Sequence, residues 1–372
     1  MHTWIDEAIG QITRKMPRGV EKARAQGLIP YKGIPGGWLG APFDGNAWWT
    51  GGFWPGLMWQ MLAETGDEVY RAEALRVEAL LVQELLKFEG LNHDVGFMYL
   101  PACAMHHHFS GDADARRHAL HAANLLAGRF NPAGFIRAWN LDRAGWAIID
   151  CMMNLTLLHW ATRQTGDPRF AAIAGIHADT AIREFVRPDG SCNHIVIFDP
   201  ATGQALEKPG GQGYRAGSSW SRGQAWGLYG FTLQYANTGS ARYLETAQRI
   251  AEYFIAHIRP DGLTDCDFCQ PAGVDLVDNI AAAIAACGLL ELARRLPDTD
   301  AAHYREAALR MLRALHENCA DYTDRTPGIL QKCTASYHED GAGRHENIVY
   351  GDYFYIEALR KLRGEKNNPW LI

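Results

Sequence analysis

Four aspartates stand where chemistry could be built: Asp94, Asp150, Asp278 and Asp352. Each lies at or near the start of an apolar stretch of helical character. Each also has a plainer explanation, because aspartate is a favoured helix N-cap and suits the positive end of the helix dipole. What raises them above capping is that the apolar stretches recur along the chain, so that their starts gather at one end of the molecule. Two carboxylates facing one cavity push one pKa upward and leave a proton donor beside an ionised partner. Such a pair is what glycosidic chemistry through an oxocarbenium-like state requires. His93-Asp94-Val95-Gly96-Phe97 and Ile149-Asp150-Cys151-Met152-Met153-Asn154 are the two strongest candidates.

A third stretch, Ser219 to Gly227, offers a guanidinium, Arg222, between two indoles, Trp220 and Trp226. Arg222 could bind a carboxylate in bidentate fashion or pair with Asp150 or Asp278. The chain holds 12 tryptophans and 15 histidines, and several indoles, among them Trp48, Trp49, Trp54 and Trp139, sit beside glycine or polar residues. Flat rings beside polar groups suit the C–H faces of sugars, although core packing must claim some of them. The run His106-His107-His108 does not converge on one ion, since adjacent positions point apart on a helix, and it reads as surface or rim. Cys266 and Cys269 form a lone C-x-x-C without the second pair or the histidines that a zinc site needs. No phosphate-binding glycine loop, G-x-S-x-G elbow or H-E-x-x-H occurs. The residues therefore point to chemistry without metal or cofactor.

The elements that must position these groups follow from a repeated turn. Thr65-Gly66-Asp67, Ser110-Gly111-Asp112, Thr165-Gly166-Asp167 and Thr238-Gly239-Ser240 share one pattern, with a looser version at Asp298-Thr299-Asp300. Glycine ends one helix, and the Asp or Ser after it caps the next. Segments after the turn (68–87, 113–130, 168–186, 241–258, 301–318) are amphipathic and read as outer helices. Segments before it (50–64, 94–109, 150–164, 221–237) are apolar or small nearly all round and read as buried inner helices, as do 278–296 and 351–362. A helix near 3–15 supplies the sixth outer partner. Six inner and six outer helices in alternation predict an all-α (α/α)6 barrel, one domain over 1–372, closed by its terminal helices. The loops entering the inner helices, such as Arg187-Pro188-Asp189-Gly190 and Arg259-Pro260-Asp261-Gly262, then meet at one face.

Composition narrows the partners. The net charge of -6 with no lysine or arginine run argues against nucleic acid. No apolar run approaches a membrane span, and the N-terminal stretch lacks the apolar core of a secretory signal. With 8 cysteines in no disulfide framework, a cytoplasmic location is expected, for a monomer or weak homo-oligomer.

The motifs His93 to Phe97, Arg137-Ala138-Trp139, Ile149 to Leu155 and Trp220 to Gly227, together with Trp49-Thr50-Gly51-Gly52-Phe53-Trp54 and Gly351-Asp352-Tyr353-Phe354-Tyr355, resemble the unsaturated glucuronyl hydrolases, glycoside hydrolase family 88. The similarity spans nearly the whole chain. It implies an (α/α)6 barrel that releases a 4,5-unsaturated uronic acid from the non-reducing end of lyase-generated oligosaccharides, by hydrating the C4=C5 bond. It implies Asp150 as general acid and base and Asp94 as the second essential aspartate. It places His93, Trp139, His194, Gln212, Trp220, Arg222 and Trp226 around the unsaturated sugar, with Trp49 at the mouth. The related family 105, acting on unsaturated rhamnogalacturonan, is the alternative that shares the barrel, and the His93-Asp94 segment favours the glucuronyl family over it. An inverting glycosidase on saturated glycans, a sugar epimerase using His93 and His194, and a noncatalytic glycan-binding barrel stay open on the residues alone.

Overall fold

The computed structural model describes residues 3–42, 45–338 and 343–372. The four close copies of the repeated turn form as their glycines dictate, although Ser240 holds its N-cap position without a side-chain hydrogen bond, and the looser copy Asp298-Thr299-Asp300 is the first turn of a helix instead. Gly66, Gly111, Gly166 and Gly239 all end helices in the left-handed region, at φ 67–74°. The next residue starts the following helix: the carboxylates of Asp67, Asp112 and Asp167 accept from the backbone N–H of Val69, Ala115 and Arg169. The Thr or Ser before each glycine donates its hydroxyl one turn back, as Thr65 does to Met61 O at 2.8 Å.

Six outer helices result: α1 (Thr3–Gln26), α3 (Glu68–Lys87), α6 (Ala113–Gly128), α8 (Pro168–Glu184), α10 (Ala241–Ala256) and α12 (Asp298–Asn318). The inner set is α2 (Phe53–Thr65), the interrupted pair α4 (Val95–Tyr99) and α5 (Met105–Ser110), then α7 (Cys151–Thr165), α9 (Ser221–Thr238), α11 (Asn279–Ala293) and α13 (Val349–Arg363). Each inner helix packs on the next, and α13 packs on α2, which closes the (α/α)6 barrel. The inner helices are buried almost throughout, α11 at every position.

Three details depart from the sequence expectation. Helix α1 runs to Gln26, well past residue 15, and its buried Lys15 donates to Asp321 O and Gly328 O, tying the first helix to the last loop. The second inner helix is broken by a π-helical turn over Leu100–Ala104, which contains Pro101. The C-terminal tail is not helical; it carries Trp370 into the centre of the ring, stacked on Phe354 at 5.8 Å, with its indole N–H on Glu357.

Short strands decorate the loop face. β1 (Lys32–Ile34) pairs antiparallel with β2 (Gly37–Leu39) and with β8 (Asn347–Ile348), joining the two ends of the chain. β3 (Phe130–Asn131) pairs with β4 (Phe135–Ile136). β5 (Trp146–Ile148), β6 (Ile195–Phe198) and β7 (Ala205–Glu207) form the third sheet, with Ile148 opposite Ile195. Among the described residues, no helix is long and apolar enough to cross a membrane.

Candidate active site

The loop face opens into a cavity of about 690 Å³, lined by Asp94 and Asp150 together with Trp49, Trp139, Gln212 and Tyr350. Both aspartates hold the N-cap position of an inner helix, α4 and α7, yet neither side chain caps it. The plain capping role is therefore not what these carboxylates do.

Two local devices bring them together. The first is Gly96, in the first turn of α4. A Cβ there would lie 2.4 Å from Asn154 Oδ1 and 2.6 Å from Asn154 Cα. Only glycine lets α4 approach α7 this closely. Asn154 then bridges the two helix starts: its Oδ1 accepts from Phe97 N at 2.7 Å, and its Nδ2 faces Asp94 Oδ1 at 3.4 Å and Asp150 O at 3.5 Å. The second device is the β5–β6 pairing, extended by Ile149 N donating to His194 O at 3.0 Å. It sets His194 beside Asp150.

Each aspartate has a histidine behind it. His93 is fully buried, with Nε2 3.3 Å from Asp94 Oδ1. His194 accepts from Gln212 N on Nδ1 at 3.0 Å, and its Nε2 stands 3.7 Å from Asp150 Oδ2. Burial holds the His93 ring well below its usual pKa and pushes His194 down to about 3, so both are neutral imidazoles. With Nδ1 of His194 accepting, its proton sits on Nε2, toward Asp150.

Burial dominates the carboxylates too. It pushes Asp94 up to about 8, with the charge of Asp150 adding to the rise and Asn154 and Arg129 opposing it. It pushes Asp150 up to about 7 against the pull of the Arg222 charge. The pair therefore retains a proton near neutrality and titrates as one system. The two values lie about a unit apart, so the donors around each group decide where that proton sits. Asp94 Oδ1 faces Asn154 and His93, whereas Asp150 Oδ2 is buried with no hydrogen-bond partner. The higher value of Asp94 and the Arg222 charge near Asp150 draw the proton toward Asp94, Asn154 Nδ2 draws it toward Asp150, and the two carboxyls share it.

The other expected site residues divide by depth. Gln212 lines the cavity and donates to Ala335 O at 2.8 Å. Trp139 lines it as well, 5.8 Å from Trp146, with the Arg143 guanidinium over both rings. Trp49 is braced edge-on by Phe53. Trp220, Arg222 and Trp226 do not line the cavity. Trp220 packs on His194 at 4.4 Å, and Trp226 packs on Phe97 and Phe354. Arg222 is buried with Nη1 2.5 Å from Asp278 Oδ2 and 2.6 Å from Thr334 O, and Nη2 on Ala335 O. It acts on the cavity through its field rather than by contact. Asp278 and Asp352 are likewise outside the lining, contrary to the expectation that all four helix-start aspartates share the mouth. Asp278 caps α11 through Ile280 N, and Asp352 accepts from Ile329 N, Leu330 N and Asn347 Nδ2.

Sequence reasoning missed three contributors. Asn154 stands one turn after Asp150 and so shares its helix face, a spacing that could have marked it. Arg129 binds the loop carrying Trp139, donating to Arg137 O, Ala138 O, Trp139 O and Asn140 Oδ1. Lys32 reaches the cavity from β1 and pairs with Glu346, an arrangement that depends on strand pairing between the chain's two ends.

No family model matches the chain. Curated relatives do. It is 40% identical to the unsaturated glucuronyl hydrolase of Bacillus sp. (strain GL1) over 336 residues, covering 87% of this chain and 89% of that protein. The chain belongs to the unsaturated glucuronyl hydrolases. Members of this family are glycosidases, and so is this protein. It is also 34% identical, over 88% of its length and 85% of the relative's, to an unsaturated chondroitin disaccharide hydrolase of Streptococcus pneumoniae. The crystal structure of the Bacillus sp. GL1 glucuronyl hydrolase, described as responsible for glycosaminoglycan degradation, superposes with a TM-score of 0.91 at 36% identity, covering 97% of each chain. An unsaturated glucuronyl hydrolase specific for heparin superposes at 0.87 with 28% identity, again over 97% of each chain.

Proposed function

We propose that this glycosidase releases the 4,5-unsaturated uronic acid from the non-reducing end of oligosaccharides left by polysaccharide lyases, through hydration of the C4=C5 bond. The observation that carries the reading is Asp150: a buried carboxyl on the cavity wall, with an unpartnered oxygen, beside a second buried carboxylate. Ligands of solved relatives support the substrate class, since dGlcA-Glc-Rha-Glc and dGlcA-GalNAc6S share the same terminal sugar.

The terminal sugar is an enol ether, so its C4 accepts a proton readily. Neutral Asp150 delivers that proton to C4, and positive charge develops at C5 and the ring oxygen. Ionised Asp94, held by Asn154 and His93, stabilises this charge in a site shielded from water. The Asp150 carboxylate then takes a proton from a water whose oxygen bonds to C5. The resulting hemiketal opens, and the remaining saccharide leaves from C1. Trp49 and Trp139 offer flat faces to the sugar, and Gln212 a polar edge. His93 and His194 stand behind the two carboxyls, and Trp220, Arg222 and Trp226 support that layer.

All eight cysteines are free, seven of them buried, which suits a reducing cytoplasm. The test is turnover of an unsaturated disaccharide in D₂O, followed by NMR from the first turnovers. Deuterium entering a single C4 position as the sugar is released supports the reading. Release with C4 unlabelled and attack at C1 would place the enzyme among ordinary glycosidases instead.

A further inference from the structure

At the far end of the second inner helix lies a group of side chains that the reaction does not use. Glu78 on α3, Cys103 in the π-helical turn and His118 on α6 bring one ligand-type atom each to within 4.8 Å of one another. None of them lines the sugar cavity. Glu78 and Cys103 are buried, and His118 is half-buried, which leaves a short route from solvent.

One buried polar atom in this group lacks a partner, His118 Nδ1, while Glu78 Oε2 lies 3.0 Å from His106 Nδ1. A buried ring nitrogen left unpaired is costly, and one beside a thiol and a carboxylate asks for a partner that all three could share. A fourth residue stands beside them. His106 Nδ1 lies 3.1 Å from Glu78 Oε1, and its ring stacks on Trp59 at 5.5 Å. The first histidine of the 106–108 run is thus a packed neighbour of this cluster rather than a free surface group. The π turn adds a structural reason: such turns concentrate at functional positions, and this one sits where the inner helix meets both outer helices.

We propose that Glu78, Cys103 and His118 form a zinc-binding site remote from the sugar cavity, with His106 holding the Glu78 carboxylate from the second layer. The donor set is sulfur, imidazole nitrogen and carboxylate oxygen, which suits zinc and disfavours magnesium and calcium, ions that take oxygen ligands. Binding deprotonates the Cys103 thiol and releases that proton to solvent, because the thiolate is the ligand. A solvent molecule takes the fourth position. The ion would clamp α3, the interrupted inner helix and α6 together.

The experiment uses the full-length chain, stripped with a chelator and titrated with zinc against a chromophoric competitor, then with cobalt. The expected result is one zinc per chain, a cobalt spectrum with a thiolate charge-transfer band, and a zinc-dependent rise in Tm. C103S and H118Q should weaken zinc by more than the roughly 10–100-fold that loss of an outer-layer partner costs, and H106Q should fall within that range. H118Q alters a half-buried side chain, so it decides the matter if C103S fails to fold. Sub-stoichiometric zinc, no charge-transfer band, or wild-type affinity in H118Q would overturn the site and leave a hydrogen-bonded Glu–Cys–His cluster.

Discussion

The ring places four aspartates at or near the starts of inner helices and uses them in two opposite ways. On one side, Asp94 and Asp150 leave the helix N-termini uncapped and point into the cavity with few donors. On the other, Asp278 and Asp352 are surrounded: Arg222, Thr334 N and Ile280 N serve the first, and three backbone or amide donors serve the second. Burial pushes all four carboxyls upward, but the donors of Asp278 and Asp352 oppose it, and Asp352 stops at about 6 where Asp94 reaches about 8. The same residue at the same register becomes a structural anion where partners are supplied and a proton reservoir where they are withheld.

Substitutions that treat the two sides alike should therefore give different phenotypes. D150N should cut kcat by roughly 10³-fold with Tm nearly unchanged, since it removes the proposed acid and base but no hydrogen-bonded network. Steady-state kinetics alongside thermal melts check this. D278N should instead act on stability, costing about 3–5 kcal/mol, because it strands the buried Arg222 cation; denaturant melts measure it. G96A forces α4 away from Asn154 and α7, and displacing a catalytic group by about 1 Å costs on the order of 10²-fold in rate. D352N should cost about 1–3 kcal/mol through donors left unmet, with kcat retained in the folded fraction.

The pH dependence of stability sharpens the contrast. The Asp94–Asp150 pair keeps its proton to a higher pH than in the unfolded chain, where each carboxyl titrates near 4. The folded state therefore binds more protons between about pH 4 and 8, and the pair's contribution to stability is present at low pH and lost as pH rises toward about 8. In D94N the decline in Tm between about pH 6 and 8 should flatten, while D352N, which removes a carboxyl titrating at about 6, should change the slope only below that.

Much of this was legible in the chain. Gly66, Gly111, Gly166 and Gly239 each need the left-handed region, so the turn they mark predicts the alternation of helices, and the six apolar segments give the count of six. Asp94 and Asp150 could be singled out because their position in the repeat fixed which end they face. What was not legible depends on distant pairing. The sequence offers Arg222 two partners, Asp150 and Asp278, and only the fold chooses Asp278; that Lys32 would reach the cavity from a strand paired with β8 rests likewise on contacts between residues far apart in sequence. The depth of Trp220 and Trp226 was hidden for the same reason: an indole beside glycine looks alike whether it meets sugar or Phe354.

The most direct probe of the shared proton is the pH profile of kcat/KM for the wild type beside D94N. Activity should fall as pH passes the 7–8 range in which the pair loses its proton, and D94N, lacking the neighbouring charge, should show the fall at lower pH. A wild-type profile flat through pH 9, or an identical alkaline limb in D94N, would contradict the account.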